Sequence, residues 1–365
     1  MTFIFLITLF DIILLSLSQI ISLHYKYYDS NRPLLELKFP EEQFTFHTRI
    51  NTYHPYFVMP FKNEILPKNL GEHRIISLND KFILYGYTTN VIFNGTEVKD
   101  FKLFVSNGEL YRSDTGLSFA LHYDDYSQSI LHQLYNSNKI RELKFTIEDH
   151  DGIEGYFHMG GLPHEVSLPY KGIIHIENNN HWGFKLKSIT INGIKYKYDI
   201  DCIVHSGLDS MFYSDELFNW FIINVFADKI NKGECGIDEN FYHESFLKCN
   251  EDIYNMKGEI KFELGDVVVK MKIKDLFAPQ YPTMLVRNNK ANEYYGHKGV
   301  FIGISFLQLF NYTVFDYENK QIELYSDLYE ITVIQSNTNY TIKVSYFGNS
   351  FICIACIFLL VICKL

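Results

Sequence analysis

Two stretches of the chain share one plan. "TRINTYHPYFVMP" (Thr48 to Pro60) and "CIVHSGLDSMFYS" (Cys202 to Ser214) each run an apolar strand into a small tight turn. The turns read Asn51-Thr52-Tyr53 and His205-Ser206-Gly207, and each is shaped to hold one reactive side chain at a strand end. A carboxamide at Asn51 is neutral and neither gives nor takes a proton in the working pH range. An unperturbed imidazole titrates near pH ~6.5, and one at position 205 is the residue type that can serve as a lone base. A base with no matched acid supplies only half of a proton-transfer mechanism.

Other chemistry-bearing residues read more plainly. His47, His54 and His205 are the histidines from which a metal site could be imagined. His47 shares strand parity with Asn51, but His54 lies beyond the turn, so nothing in the spacing makes three rings converge and no metal is expected. Asp209 reads as a polar residue bonding its own turn or capping the next segment. Asp199 and Asp201 share the strand face opposite Cys202 and read as a solvated face, and Trp182 and Trp220 read as core or groove aromatics by bulk. The sequence holds no Gly-rich phosphate loop, CxxC or HExxH, so no cofactor is expected.

The elements around these turns are mostly short alternating runs separated by turn residues, the pattern of β-structure. Hairpin turns are expected at Asn94-Gly95, Asn192-Gly193 and Gly265-Asp266. Helices are expected at Gln128 to Asn136 and Ser214 to Asp228, the second opening on a Ser-Asp-Glu cap signal. The chain has 365 residues and a net charge of -10, with no Lys/Arg-rich run, which argues against a nucleic-acid partner. With 31 Phe, 27 Tyr and 21% charged residues, the composition fits a packed, strand-rich protein of about two domains.

Both ends are apolar. Met1 to Leu23 reads as a secretory signal with a small-x-small cleavage step at Ser16-Leu17-Ser18, or as an uncleaved signal anchor spanning the bilayer. Near the other end, Phe351 to Cys363 is apolar and follows a small polar stretch, Ser336 to Asn339, and a mixed spacer. That layout fits a GPI-attachment signal or a short membrane span beginning near Val344. Either places the body in the secretory lumen or outside the cell, tethered to a membrane. Disulfides are then permitted: Cys235 and Cys249 bracket a short polar loop and form the expected pair, leaving Cys202 as a buried thiol. Sequons stand at Asn94, Asn311 and Asn339.

The order of elements resembles the pepsin-like aspartic proteases from roughly Leu37 to Asp327. "GVFIGISFLQLFNYTVFDYENKQIEL" (Gly299 to Leu324) resembles the family's last strands, and "FHMGGLP" (Phe157 to Pro163) the segment closing its first lobe. "WGFKLKSITINGIKY" resembles the start of the second lobe, and "QLYNSNKIRELKFTI" (Gln133 to Ile147) a helix and strand of the first. The resemblance implies a mainly β, bilobal fold with two pseudo-symmetric β-rich lobes around an interlobe cleft. The organisation it implies is a signal peptide or anchor at 1–18, an N-terminal lobe at 24–170, a C-terminal lobe at 171–329, a spacer at 330–350 and an anchor segment at 351–363.

The family's chemistry uses one Asp from each lobe on an Asp-Thr/Ser-Gly turn, the two carboxylates sharing a proton. The resemblance places those positions on Asn51 and His205. Tyr53 stands where the family has Gly and would crowd the water site, and Ile304 stands where an Asp follows the late Leu-Gly. The family's flap carries a Tyr-Gly pair before its tip; Tyr85-Gly86 followed directly by "YTTNVIFNG" implies a shortened tip. Thr52, Tyr53, Tyr85, Gly86, Ser206 and Gly207 are the expected cleft residues. The resemblance implies a non-catalytic homologue, a monomer that holds an extended peptide or protein in its cleft. The alternative is an active aspartic-type endopeptidase with an atypical Asn/His centre.

Overall fold

The hairpins follow from local chemistry. Asn94 (φ 45°) with Gly95 (φ 81°), and Asn192 (φ 47°) with Gly193 (φ 86°), place two successive residues in the left-handed region. Two-residue turns of that hand match the twist of the strands they join, and Asn and Gly adopt it at least cost. They close Phe82–Phe93 onto Thr96–Ser106 and Gly183–Ile191 onto Ile194–Val204. Gly265 (φ 54°) turns Glu259–Leu264 back onto Val267–Lys272.

The computed structural model of the chain describes residues 20–334, apart from positions 29–31, 42, 54–55, 61–72, 77–81, 107–116, 123–128, 151–153, 179, 209, 240–244, 278–282 and 289–298. The fold is mainly β. One sheet of twelve strands runs in the order Tyr170–His175, Gln321–Ser326, Tyr312–Asp316, Lys144–His150, Glu154–Met159, Ile21–Tyr28, Arg32–Phe39, Phe82–Phe93, Thr96–Ser106 and Val58–Pro60. Phe44–Thr48 and His73–Ile76 pair with it off that path. A second sheet of ten strands holds Ile194–Val204 between Gly183–Ile191 and Val300–Ile302. Ile50–Asn51 and Leu117–Ser118 make a separate pair.

The helices stand where expected, with a difference at the second. Ile130–Asn136 is capped by Ser129. Ser214 caps Asp215–Phe221, accepting from the Leu217 amide, with Asp215 and Glu216 favourably placed in the first turn. Beyond Phe221 the helix widens to a π-helical turn over Ile222–Phe226 before Ala227–Asn231. Cys235 and Cys249 are joined by a disulfide across neighbouring strands, and Cys202 is a buried free thiol.

Two boundaries move, and one sheet takes strands from both expected halves. Ile21 and Leu23, read as the end of an apolar leader, are core residues of the large sheet, so the folded body begins before residue 24. Glu330–Val333, read as spacer, pairs with Val267–Lys272 as an edge strand. Tyr170–His175, Tyr312–Asp316 and Gln321–Ser326, from the expected C-terminal half, lie in the same sheet as Lys144–His150. Each change comes from long-range pairing that local pattern does not encode.

Residues 1–18, the rest of the spacer from Gln335, Asn339 and the segment 351–363 lie outside the described residues. Among the described residues no helix is long and apolar enough to cross a membrane. Asn94 is exposed in its hairpin turn and donates to the Ser22 carbonyl (2.9 Å). The Asn311 carboxamide oxygen accepts the Asp327 amide (2.9 Å).

Beneath the two turns, Trp182 is wholly buried. Its indole donates to the Phe119 carbonyl (2.8 Å), and its ring meets Phe145, Phe315 and Tyr317 edge-on. The Tyr317 hydroxyl donates to the Ala120 carbonyl (2.8 Å). Residues 119–120 lead directly from Leu117–Ser118, so this aromatic core fixes the segment that holds the first turn. Trp220 is half-buried and packs on Tyr196 instead.

Candidate functional site

Each turn leaves a strand gripped by a later parallel strand. Ile50–Asn51 lies beside Leu117–Ser118, with the Leu117 amide on the Arg49 carbonyl and the Phe119 amide on the Asn51 carbonyl (both 2.7 Å). Val204, the last residue of its strand, lies opposite Ile302, and the His205 amide donates to the Ile302 carbonyl (2.9 Å). The second turn closes with the Leu208 amide on the His205 carbonyl (3.0 Å), and the Ile304 amide donates to Leu208 (2.9 Å). Gly303 permits this approach: a Cβ there would lie 2.1 Å from the Ser210 carbonyl oxygen.

The turns are locked to each other by their second residues. Thr52 Oγ1 donates to the Val204 carbonyl (2.9 Å) and accepts the Ser206 amide (3.0 Å). Ser206 Oγ donates to the Ile50 carbonyl (2.8 Å). Each hydroxyl thus reaches the carbonyl that precedes the first residue of the opposite turn. That reciprocity makes Asn51 and His205 structural equivalents. Both hydroxyls are buried, so each bond counts for more than it would at the surface.

The side chains at those equivalent positions are an amide and an imidazole. Asn51 is buried, and its Oδ1 accepts the Tyr53 amide (2.9 Å) in an Asx turn. His205 is fully buried, with Tyr53 stacked on its ring (4.8 Å between centroids, 9° between planes). The other face of Tyr53 carries His181 (4.6 Å, 11°), and Phe301 closes edge-on against both Tyr53 (5.8 Å) and His205 (6.0 Å). A three-ring stack, His181–Tyr53–His205, therefore fills the space beside the second turn.

Asn51, Thr52, Tyr53, His205 and Ser206 lie together, with Gly207 following in the same turn. Tyr85 and Gly86 do not sit before a hairpin tip. They lie mid-strand in Phe82–Phe93, opposite Val105 and Phe104, and the Asn94-Gly95 turn is at the strand's far end. Tyr85 also pairs with His73 in a second hairpin, whose connection, residues 77–81, lies outside the described residues. A shortened tip directly after Gly86 is therefore corrected, because pairing with Thr96–Ser106 continues through Gly86, while pairing with His73–Ile76 stops at Tyr85.

His47 is exposed, 3.8 Å from the Glu36 carboxylate, and is not gathered with His205. His54 and Asp209 lie outside the described residues. Asp201 pairs with Lys185 on the open face (2.8 Å). Ile304 is wholly buried. The sequence reading missed His181 and Phe301, whose roles depend on ring contacts across the fold. The only local hint was His181 standing next to the core residue Trp182.

Comparison with known proteins bears on the family and the fold. The family model described as eukaryotic aspartyl protease matches residues 87–326, a stretch that includes His205 and begins after Asn51. No curated protein matches the chain. Among solved structures, the aspartic proteinase from Irpex lacteus is similar, with a TM-score of 0.59 at 12% identity, covering 84% of this chain and 97% of that one. At that identity the likeness is one of fold.

Proposed function

The chain belongs to the eukaryotic aspartyl protease family and has its pepsin-like, mainly β fold, and from that premise we propose that it holds an extended peptide or protein segment without cleaving it. The observation that carries this reading is the Tyr53 ring stacked on His205 at the turn where the family keeps an acid and a water. Aspartic peptidase chemistry needs two carboxylates that share a proton, one to activate water and one to polarise the scissile carbonyl. Asn51 and His205 offer neither carboxylate, and Tyr53 takes space that a nucleophilic water would need.

What the family fold supplies without the acids is a long interlobe groove, suited to backbone hydrogen bonding with an extended chain and to side-chain pockets. In this reading the protein is a monomer without a cofactor. Its body lies in the secretory lumen or outside the cell, tethered through the segment 351–363, with glycans at its sequons.

The test is to incubate the purified full-length chain with unfolded protein substrates from acid to neutral pH, beside His205→Ala. No cleavage by either protein is expected, together with retention of peptides on the immobilised chain. Pepstatin-insensitive cleavage by the parent that disappears in His205→Ala would establish the atypical peptidase instead.

A further inference from the structure

The strand Ile21–Tyr28 lies inside the twelve-stranded sheet, between Glu154–Met159 and Arg32–Phe39. Its two neighbours hold it unequally. Ile21 to Lys26 are in register with Met159 to Glu154, whereas only Lys26 to Tyr28 pair with Leu34 to Arg32. Among the described residues, the first half of the strand has a backbone ladder on one side. On its other side the Asn94 carboxamide donates to the Ser22 carbonyl (2.9 Å). Side chains must supply the rest of the hold.

On the core face, the buried Tyr25 hydroxyl donates to the Glu148 carbonyl (2.8 Å) and approaches the Asp149 carboxylate (3.2 Å). Gly155 leaves room for that ring, since a Cβ there would lie 2.5 Å from the Tyr25 hydroxyl oxygen. On the opposite face a chain of hydrogen bonds crosses three strands. Ser22 Oγ is 2.7 Å from His158 Nδ1, and His158 Nε2 is 2.6 Å from Glu148 Oε2. His158 and Glu148 are both buried. We propose that Ser22, His158 and Glu148 form a titratable clasp that keeps the N-terminal strand in the sheet, and that protonation of the Glu148 carboxylate, rather than of the imidazole, opens it.

The proton logic follows from which atoms can donate. An ionised carboxylate only accepts, so His158 Nε2 carries the hydrogen and Nδ1 of the neutral ring accepts from Ser22. When the ring gains a second proton, Nδ1 donates and the Ser22 hydroxyl turns to accept. Both bonds survive, and the one to Glu148 gains charge assistance. Protonating Glu148 instead removes the counter-charge from a buried imidazolium, which is costly.

The remaining groups that face Glu148 favour its ionised form. The Tyr312 hydroxyl donates to Oε1 (3.2 Å) with His164 behind it (3.3 Å), and His150 Nε2 lies 2.9 Å from Oε1. Further along the same face, Tyr156 stacks on His158 (6.0 Å), and His24 lies 3.3 Å from Glu154. Burial pushes the Glu148 carboxyl up, but the hydrogen bond and charge of His158, with His150 and Tyr312, outweigh it and hold the group below its ordinary value. A depressed carboxylate contributes stability above the ordinary glutamate range, near pH ~4.3. That stability is lost as pH falls through the depressed value. The clasp is therefore closed at neutral and mildly acidic pH and opens in stronger acid.

Hydrogen exchange of the full-length chain, read by mass spectrometry on peptides covering Ile21–Tyr28 and corrected for intrinsic rates, tests this. In the parent, protection is expected to hold from neutral to mildly acidic pH and to fall in stronger acid. Ser22→Ala, which keeps the sheet's core face intact, is expected to exchange about tenfold faster while the clasp is closed, the equivalent of one net hydrogen bond. Glu148→Gln is expected to move the loss of protection to higher pH, because the imidazolium then forms without a counter-charge. Equal exchange in parent and Ser22→Ala overturns the clasp. So does opening of the strand only together with Val300–Ile302 in the other sheet.

Discussion

Thr52 and Ser206 hold the two turns in a reciprocal grip: each hydroxyl donates to the carbonyl that precedes the first residue of the other's turn, at 2.9 and 2.8 Å. Thr52 does double service because its oxygen also accepts the Ser206 amide. Thr52→Ala removes the donor and leaves a buried amide and a buried carbonyl unpaired. The expected loss is about 3 kcal/mol in urea unfolding. Thr52→Ser keeps both bonds and is expected to lose less than about 1 kcal/mol. Equal losses would mean that the methyl packing, not the hydroxyl, matters.

A second prediction concerns the close approach behind the His205 turn. Gly303→Ala would set a Cβ 2.1 Å from the Ser210 backbone oxygen, a contact no side-chain motion relieves. The backbone must shift and take the Ile304–Leu208 hydrogen bond with it. A loss of at least about 3 kcal/mol is expected, against a small change for Gly236→Ala, where a Cβ meets nothing within 4 Å.

The twin turns were legible because each is local: an apolar strand, a small polar turn and a hydroxyl at the second position. The Asn-Gly hairpins, the Ser214 cap and the Cys235–Cys249 pairing were legible for the same reason. What was not legible depends on distant pairing. Tyr85-Gly86 reads alike mid-strand and beside a tip, and only the neighbouring strands His73–Ile76 and Thr96–Ser106 decide between them. Tyr53 was recognised as bulky, but its sandwich between His181 and His205 joins residues that no periodicity connects. Glu330–Val333 is too short to announce itself as a strand and is recruited by the exposed edge of Val267–Lys272.

The Tyr53 stack should control access to His205. The imidazole is wholly buried in the parent and one of its faces is covered by the phenol ring. Diethyl pyrocarbonate is expected to modify the exposed His47 and spare His205. Tyr53→Ala should expose His205 to the reagent, as mapped by peptide mass spectrometry, and Tyr53→Phe should not. Modification of His205 in the parent would show that the stack is not a closed cover.

Acid stability should depend on Glu323, buried on the outer face of the large sheet. Lys171 Nζ lies 2.8 Å away, the Tyr325 hydroxyl donates to the same oxygen (2.6 Å), and Gln321 donates to the other (3.1 Å). Burial pushes the carboxyl up, yet the bonds from Lys171 and Tyr325 outweigh it and the group sits below its ordinary value. The folded state therefore gains stability from Glu323 above the usual glutamate range and loses it as pH falls through the depressed value. Glu323→Gln is expected to lower stability at neutral pH by about 2 kcal/mol and to flatten the decline below pH ~4.3. Parallel pH profiles for parent and variant would exclude Glu323 as a source of the acid limb.

If Asn51 and His205 occupy the two acid positions of the family, restoring the acids should restore their electrostatic coupling. Asn51→Asp with His205→Asp places two carboxylates on turns that Thr52 and Ser206 hold face to face. Tyr53→Gly is added to clear the ring from the space between them and to return the turn to the family's residue. One carboxylate should then titrate well above the ordinary Asp value, because its neighbour's charge and the burial of both positions disfavour a second ionisation. Full peptidase activity is not expected, since Ile304 also departs from the family pattern and is packed in the core. The measurement is proton uptake, by difference titration of the triple variant against Tyr53→Gly alone. One group titrating high and one low is the expected result. Two independent carboxylates near pH ~4 would mean that the acids do not face each other and that the equivalence of Asn51 and His205 fails.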